Sequence, residues 1–202
     1  MIKTLGKTFL LAIALQLVAF GATARADQPF MQTSGRTSQP VGHYEFCQRL
    51  PEECNQKTAK RQPVKLTREL WAAIIDINNV VNASVEPLTD MEIYGQEEYW
   101  AYPDAGVGDC EDYALEKRRR LMALGVPAGD LLITVARQPN GDGHAVLTVR
   151  TSRGEFILDN LEPRVLAWGK TEYTYLKRQS ERHSGVWIKI NDGRADAVAS
   201  VR

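Results

Sequence analysis

"GDCEDYALEKRRRLMALG", residues 108–125, sets a single cysteine, Cys110, among three carboxylates where a helical run begins. Asp109 is placed to N-cap, and Glu111 and Asp112 fall in the first turn, where the helix dipole favours negative charge. Good helix formers continue to Leu124, and Gly125 followed by Pro127 ends the run. The charged stretch "EKRRR" inside it reads as a solvated face. Three roles for Cys110 stay open at this point: nucleophile, metal ligand, or an inert residue of an ordinary helix start.

Upstream, "KLTRELWAAIIDINNVVNA" spaces Leu70, Trp71, Ile74, Ile75, Asn78 and Val81 as a helix does, with Thr67 as its N-cap. Between that helix and Cys110, "LTDMEIYGQEEYWAYPDAGVGD" has turn residues and aromatics but no sustained period, and reads as a long functional connection. After Pro127 the character changes to β-rich segments, "LLITVAR", "HAVLTVR", "EFILDN", "EYTYL" and "GVWIKI", separated by turn formers. Helices followed by an antiparallel meander predict an α+β fold.

The chain of 202 residues opens with Lys3 and Lys7, an apolar run from Phe9 to Ala22, and the small-residue pattern Ala24-Arg25-Ala26. This reads as a secretory signal peptide over 1–26 rather than a stable membrane span, and it predicts an exported, periplasmic protein. Residues 27–42 are polar and rich in turn formers and read as a flexible arm. One domain is expected over 43–190, with a fraying tail over 191–202. Removal of the leader takes away Lys3, Lys7 and Arg25 and leaves a small negative balance, which gives no reason to expect nucleic acid or an anionic membrane as partner. Three cysteines in an exported chain leave one over after pairing. Cys47 and Cys54, close in sequence around Pro51, are expected to form a disulfide, which leaves Cys110 free.

His144 stands where "GDGHAVLTVR" enters a strand, and Asp159 where "TSRGEFILDN" leaves the next. If the two strands form a hairpin about residues 151–154, a two-residue loop sets His144 opposite Asp159 and a four-residue loop sets Val146 opposite it. Both registers put His144 and Asp159 on one side of the sheet. A carboxylate bonded to one imidazole nitrogen fixes the tautomer and leaves the other nitrogen to take a proton from a nucleophile. Cys110 at a helix N-terminus fits that role, since the dipole and an imidazolium both favour thiolate. First-turn N–H groups would supply part of an oxyanion hole, with Trp100 or Gln96 as candidates for a second donor. Read singly, His144 is a hairpin residue and Asp159 closes a strand through an Asx-turn.

Zinc needs three or four ligands, and neither His43 nor His183 has ligand spacing to Cys110 and His144. Asp109, Glu111 and Asp112 pose a different problem, because negative charge around a thiolate opposes its formation. Helix capping accounts for two of them, and a hard cation such as Ca²⁺ would remove the conflict.

Trp100, Pro103, "GVGDCEDYALEKRRRLMALGV", "GHAVLTV" and "EFILDN" together resemble the bacterial transglutaminase-like cysteine proteinases, and "NNVVN" at 78–82 resembles that family's asparagine-bearing helix. The resemblance spans about residues 43–190. It implies a papain-like or transglutaminase-like α+β fold with a Cys110-His144-Asp159 triad. It also implies calcium beside the nucleophile, on Asp109, Glu111 and Asp112. In the best-known branch the substrate is a cell-surface adhesin, and an inner-membrane cyclic di-GMP receptor holds the enzyme inactive. Expectation therefore centres on a calcium-linked exported cysteine endopeptidase. A transglutaminase-type acyl transferase and a non-catalytic peptide-binding module are the alternatives.

Overall fold

The structure is a computed structural model that describes residues 28–59 and 62–193. The expected signal peptide, Asp27 and the last residues of the expected tail, 194–202, lie outside the described residues. In chain order the elements are β1 (Thr33–Thr37), α1 (Val41–Arg49), α2 (Pro51–Cys54), α3 (Arg68–Ser84), β2 (Glu86–Pro87), α4 (Asp90–Tyr94), β3 (Val107–Gly108) and α5 (Cys110–Ala123). Then follow β4 (Leu131–Arg137), β5 (Gly143–Thr151), β6 (Gly154–Leu158), β7 (Leu166–Ala167), β8 (Thr174–Ser180) and β9 (His183–Ile190).

The expected α+β class is found, with helices against an antiparallel sheet, but the sheet is not a simple meander. Its strand order is β1-β9-β8-β4-β5-β6-β7. β8 returns to pair with β4 instead of with β7, the strand that precedes it. The flexible arm expected over 27–42 is, in its described part, a piece of the fold. β1 adds an edge to β9, Met31 is buried, and Met31 N–H donates to Glu155 Oε2 at 2.8 Å. Composition misled because a short edge strand needs only backbone partners, which polar residues supply as well as apolar ones. Of the tail expected to fray over 191–202, the first two residues are instead held: Asn191 N–H reaches Gln32 O, and Asp192 Oδ2 accepts from Tyr175 N–H at 2.8 Å.

Thr67 caps α3 as its position predicts, accepting from Leu70 N–H at 3.1 Å. Ile74, Ile77, Asn78 and Val81 form the buried face of that helix. α5 lies between α3 and strands β4 and β5, which explains a second correction. The "EKRRR" stretch is solvated only at Arg119 and Arg120, whereas Lys117 and Arg118 are buried. A helix covered on two sides has little solvent face to offer. Arg118 is accommodated by Leu131 O, Glu53 and Gln56, each within 3.2 Å.

The main core joins Ala114, Leu115 and Leu121 of α5 and Ile74 and Val81 of α3 to Leu131, Ile133, Leu147 and Val149 of the sheet. Alternate residues Ala136, Val146 and Ile157 join Met31, Tyr175 and Ile190 in a second apolar cluster. The two-residue period thus buries both faces of the central strands. That burial fixes strand register, because a one-residue slip would exchange the two faces.

Candidate active site

The site is assembled where the N-terminus of α5 meets the start of β5 and the end of β6. Leu147 pairs with Leu158 and Thr151 with Gly154, so the hairpin takes the register that carries Val146 toward Asp159. His144 and Asp159 are brought together as the parity of the strands requires: His144 Nε2 lies 2.8 Å from Asp159 Oδ1, both side chains buried. Asp159 also accepts the Tyr173 hydroxyl on Oδ2 at 2.5 Å and the Leu161 N–H on Oδ1 at 3.0 Å. The last bond is the Asx-turn read from the sequence, so a strand-closing role and a histidine-orienting geometry coexist in one residue. Burial raises the Asp159 carboxyl, but the His144, Tyr173 and Leu161 bonds outweigh it and hold the group below the ordinary range. Burial and the adjoining carboxylate push the Tyr173 phenol up, so it stays a donor. Tyr173 is one residue sequence reasoning missed, because its approach depends on β8 returning across the sheet, which no local pattern encodes.

Cys110 is the free cysteine, and the expected Cys47–Cys54 disulfide is present. Cys110 Sγ accepts from Ala145 N–H at 3.3 Å, the residue directly after His144. The thiol donates to Glu111 Oε2, also at 3.3 Å. Burial pushes the Cys110 thiol well up, Glu111 and Asp109 add to the rise, and the Ala145 N–H only partly offsets it. The expected lowering by the helix dipole is therefore overturned by burial and by the crowd of carboxylates. Trp100 does not reach the nucleophile with its side chain. Its indole N–H points to Glu98 and its ring packs on His43 and Trp187. Gln96 is exposed on the preceding loop.

Asp109 holds the N-cap position of α5 without a side-chain capping bond. Its Oδ2 instead accepts from Asp90 N–H at 3.3 Å, in the first turn of α4. Asp90 accepts the Tyr99 N–H, and Asp112 Oδ1 accepts the Ala101 N–H at 2.8 Å. Oxygens of Asp90, Asp109 and Asp112 lie within 4.8 Å of one another, and each residue keeps one buried oxygen with no donor. Burial raises Asp112 to about 8 and also raises Asp90, with Asp109 adding to both. Three clustered carboxylates at the starts of two helices, each with a buried oxygen lacking a donor, suit a hard divalent cation, which takes oxygen ligands in flexible geometry. Of the residues expected to bind metal, Asp109 and Asp112 belong to this trio, and Glu111 lies against it, its carboxyl in contact with Asp109 and Asp90 as well as with the Cys110 thiol. Asp90 was not anticipated, and its only sequence signal was an acidic residue at the start of a short helix.

The chain was compared with known families and structures. A family model described as the bacterial transglutaminase-like cysteine proteinase BTLCP matches residues 33–195. No curated protein matches. Calcium-bound Legionella pneumophila LapG is similar at 28% identity over 59% of this chain and 68% of that one, with a TM-score of 0.50. Legionella pneumophila LapG in a second structure shares 24% identity over 80% of this chain and 86% of that one, and an EGTA-treated form shares 24% over 80% and 89%, both at a TM-score of 0.50. These two show the shared fold. A match running from the first strand to just past the last, over a helix-borne cysteine and a paired histidine and aspartate, makes this chain a member of the bacterial transglutaminase-like cysteine proteinase family, a cysteine peptidase acting on protein substrate.

Proposed function

We propose that the chain is an exported, calcium-linked cysteine endopeptidase in which Cys110, His144 and Asp159 carry the reaction. The observation that supports this most is the buried His144–Asp159 bond together with the Cys110 sulfur held on the N–H of Ala145, the residue after His144. With Nε2 engaged by Asp159, Nδ1 is the imidazole nitrogen left to accept the thiol proton. Sγ then bonds to the scissile carbonyl carbon, the C–N bond breaks as the imidazolium returns the proton to the leaving amine, and water hydrolyses the thioester. Asp159 keeps His144 oriented and stabilises the imidazolium, while Tyr173 and the Leu161 N–H keep Asp159 ionised.

Asp90, Asp109 and Asp112 would hold Ca²⁺, with Glu111 adjoining. When bound, the ion would supply positive charge that offsets the carboxylates now opposing thiolate formation. The calcium-bound relative supports this assignment. Release of the thiol by Glu111 is needed before His144 can take the proton. The family's best-known branch supports a cell-surface adhesin as substrate and an inner-membrane cyclic di-GMP receptor as inhibitor. Among the described residues no helix is long and apolar enough to cross a membrane.

Incubation with exported polypeptides and a labelled primary amine, read by mass spectrometry, tests the reaction. Hydrolytic chain cleavage that disappears in His144→Ala is expected. Amine incorporation without cleavage would replace the peptidase reading with acyl transfer.

A further inference from the structure

A strongly basic stretch, "KRQPVKLTR" at 60–68, has no part in the chemistry above; it carries four basic residues and no acidic one. Lys60 and Arg61 lie outside the described residues. The rest of the stretch runs alongside the turn of the β5–β6 hairpin: Ser152 N–H donates to Val64 O at 2.8 Å, and Leu66 N–H to Ser152 Oγ at 3.1 Å. Arg68 opens α3 and Arg153 sits in the hairpin turn, and both are exposed. Among the described residues neither guanidinium has an ion-pair partner. The neighbouring carboxylate, Glu69, is taken up by its own backbone N–H and by the Thr67 hydroxyl.

Arg68 and Arg153 line a hollow of about 330 Å³ together with Leu66, Thr67, Trp71 and Phe156. The rings of Trp71 and Phe156 meet edge to face in it, with centres 4.9 Å apart. The Thr67 hydroxyl is committed to capping α3, so the free polar groups of the hollow are the two cations. Past Phe156 and Arg153 the surface continues into a second hollow of about 210 Å³ that Trp168 and Lys170 also line. An apolar groove edged by unpaired cations complements a chain in which negative charge flanks an apolar side chain. A concave groove suits a polypeptide, whereas adhesion to a membrane surface would call for apolar residues that project.

The groove lies at the turn of the same hairpin whose open end carries His144 and Asp159. Thr151 is seven residues along β5 from His144, a span of about 23 Å for extended chain at about 3.3 Å per residue. We propose that the groove is an exosite for the polypeptide substrate: an acidic segment at least about seven residues from the scissile bond seats an apolar side chain against Trp71 and Phe156, with its carboxylates facing Arg68 and Arg153. This rests on the peptidase reading of the Cys110 site. The exosite takes no part in bond making and selects substrate by holding it at a second point.

The test uses the full chain and the double variant Arg68→Glu, Arg153→Glu, in which both changed side chains are exposed. The probe is a synthetic peptide of glutamates around one leucine, with a leucine-to-serine version and a version with lysine in place of glutamate as controls. Binding is measured by calorimetry at low and high salt, and the Trp71 indole N–H is followed by NMR. The acidic leucine peptide is expected to bind, to shift the Trp71 signal, to weaken as salt rises, and to bind the double variant about tenfold or more less tightly. The serine peptide should bind more weakly and the lysine peptide not at all. Equal binding by the double variant, an unmoved Trp71 signal or no binding of the acidic peptide overturns the proposal. So does adhesion to phosphatidylglycerol vesicles that the double variant loses, without peptide binding, since it would make the patch a lipid contact. For cleaved exported polypeptides the double variant should raise KM with kcat held; an unaltered KM overturns the assignment to substrate. A chain that cleaves nothing would defeat the peptidase reading, while the peptide titration would still decide whether the groove binds acidic polypeptide.

Discussion

Replacing Tyr173 with Phe removes one of three donors to Asp159 and leaves Oδ2 buried without a partner. The phenyl ring keeps its packing on His144 and Tyr175, whose ring centres lie at 5.2 and 6.4 Å, so the lost hydroxyl is the main change. A hydrogen bond to an ionised group contributes about 1.5–3 kcal/mol, and removing it raises the Asp159 carboxyl. Asp159 is held below the unfolded carboxyl value. Its stabilisation is therefore present above that value and is lost as pH falls through the folded one. The variant should be less stable by about 1.5–3 kcal/mol at pH 7, and the difference should narrow as acid protonates the carboxyl. Urea denaturation of both proteins from pH 7 to pH 3 measures this difference directly. A difference independent of pH, or one below about 0.5 kcal/mol at pH 7, would refute the reasoning.

Asp90→Asn should greatly weaken the heat of Ca²⁺ binding in calorimetric titration of chelator-treated protein, because it removes charge and an oxygen from the buried trio; unchanged binding would remove Asp90 from the site. His43 is buried between Trp187 and Gln179 and lowered to about 4, chiefly by burial and then by Arg118. The unfolded chain binds the extra proton between about pH 6.5 and pH 4, so stability falls by about 2 kcal/mol from pH 7 to pH 5, a slope that His43→Gln should flatten in denaturation curves. Loss of the short Cys47–Cys54 loop in the double alanine variant should cost about 2 kcal/mol by the chain-entropy account, read by urea midpoint.

Helix α3 and the His144–Asp159 pairing were legible because each follows from a local period: helical spacing with a Thr67 cap in one case, strand parity around a tight hairpin in the other. The free cysteine followed from pairing the other two. The position of Tyr173 was not legible, since it depends on β8 crossing back to β4. Nor was the burial of Lys117 and Arg118, because charge within a helix usually marks solvent, and only the α3–α5–sheet sandwich reverses that. Asp90 joins Asp109 and Asp112 through backbone bonds at Tyr99 and Ala101, in a loop that has no period to read. The polar segment ahead of α1 looked mobile because an edge strand is held by its backbone, which composition does not record.

The most direct test of the central claim compares newly formed protein termini among exported proteins in cells carrying either the natural chain or Cys110→Ala. Internal termini present only with the intact cysteine are predicted, on one or a few substrates. Identical terminal profiles in the two strains, with both chains folded and present at equal levels, would contradict Cys110 as the nucleophile of a peptidase.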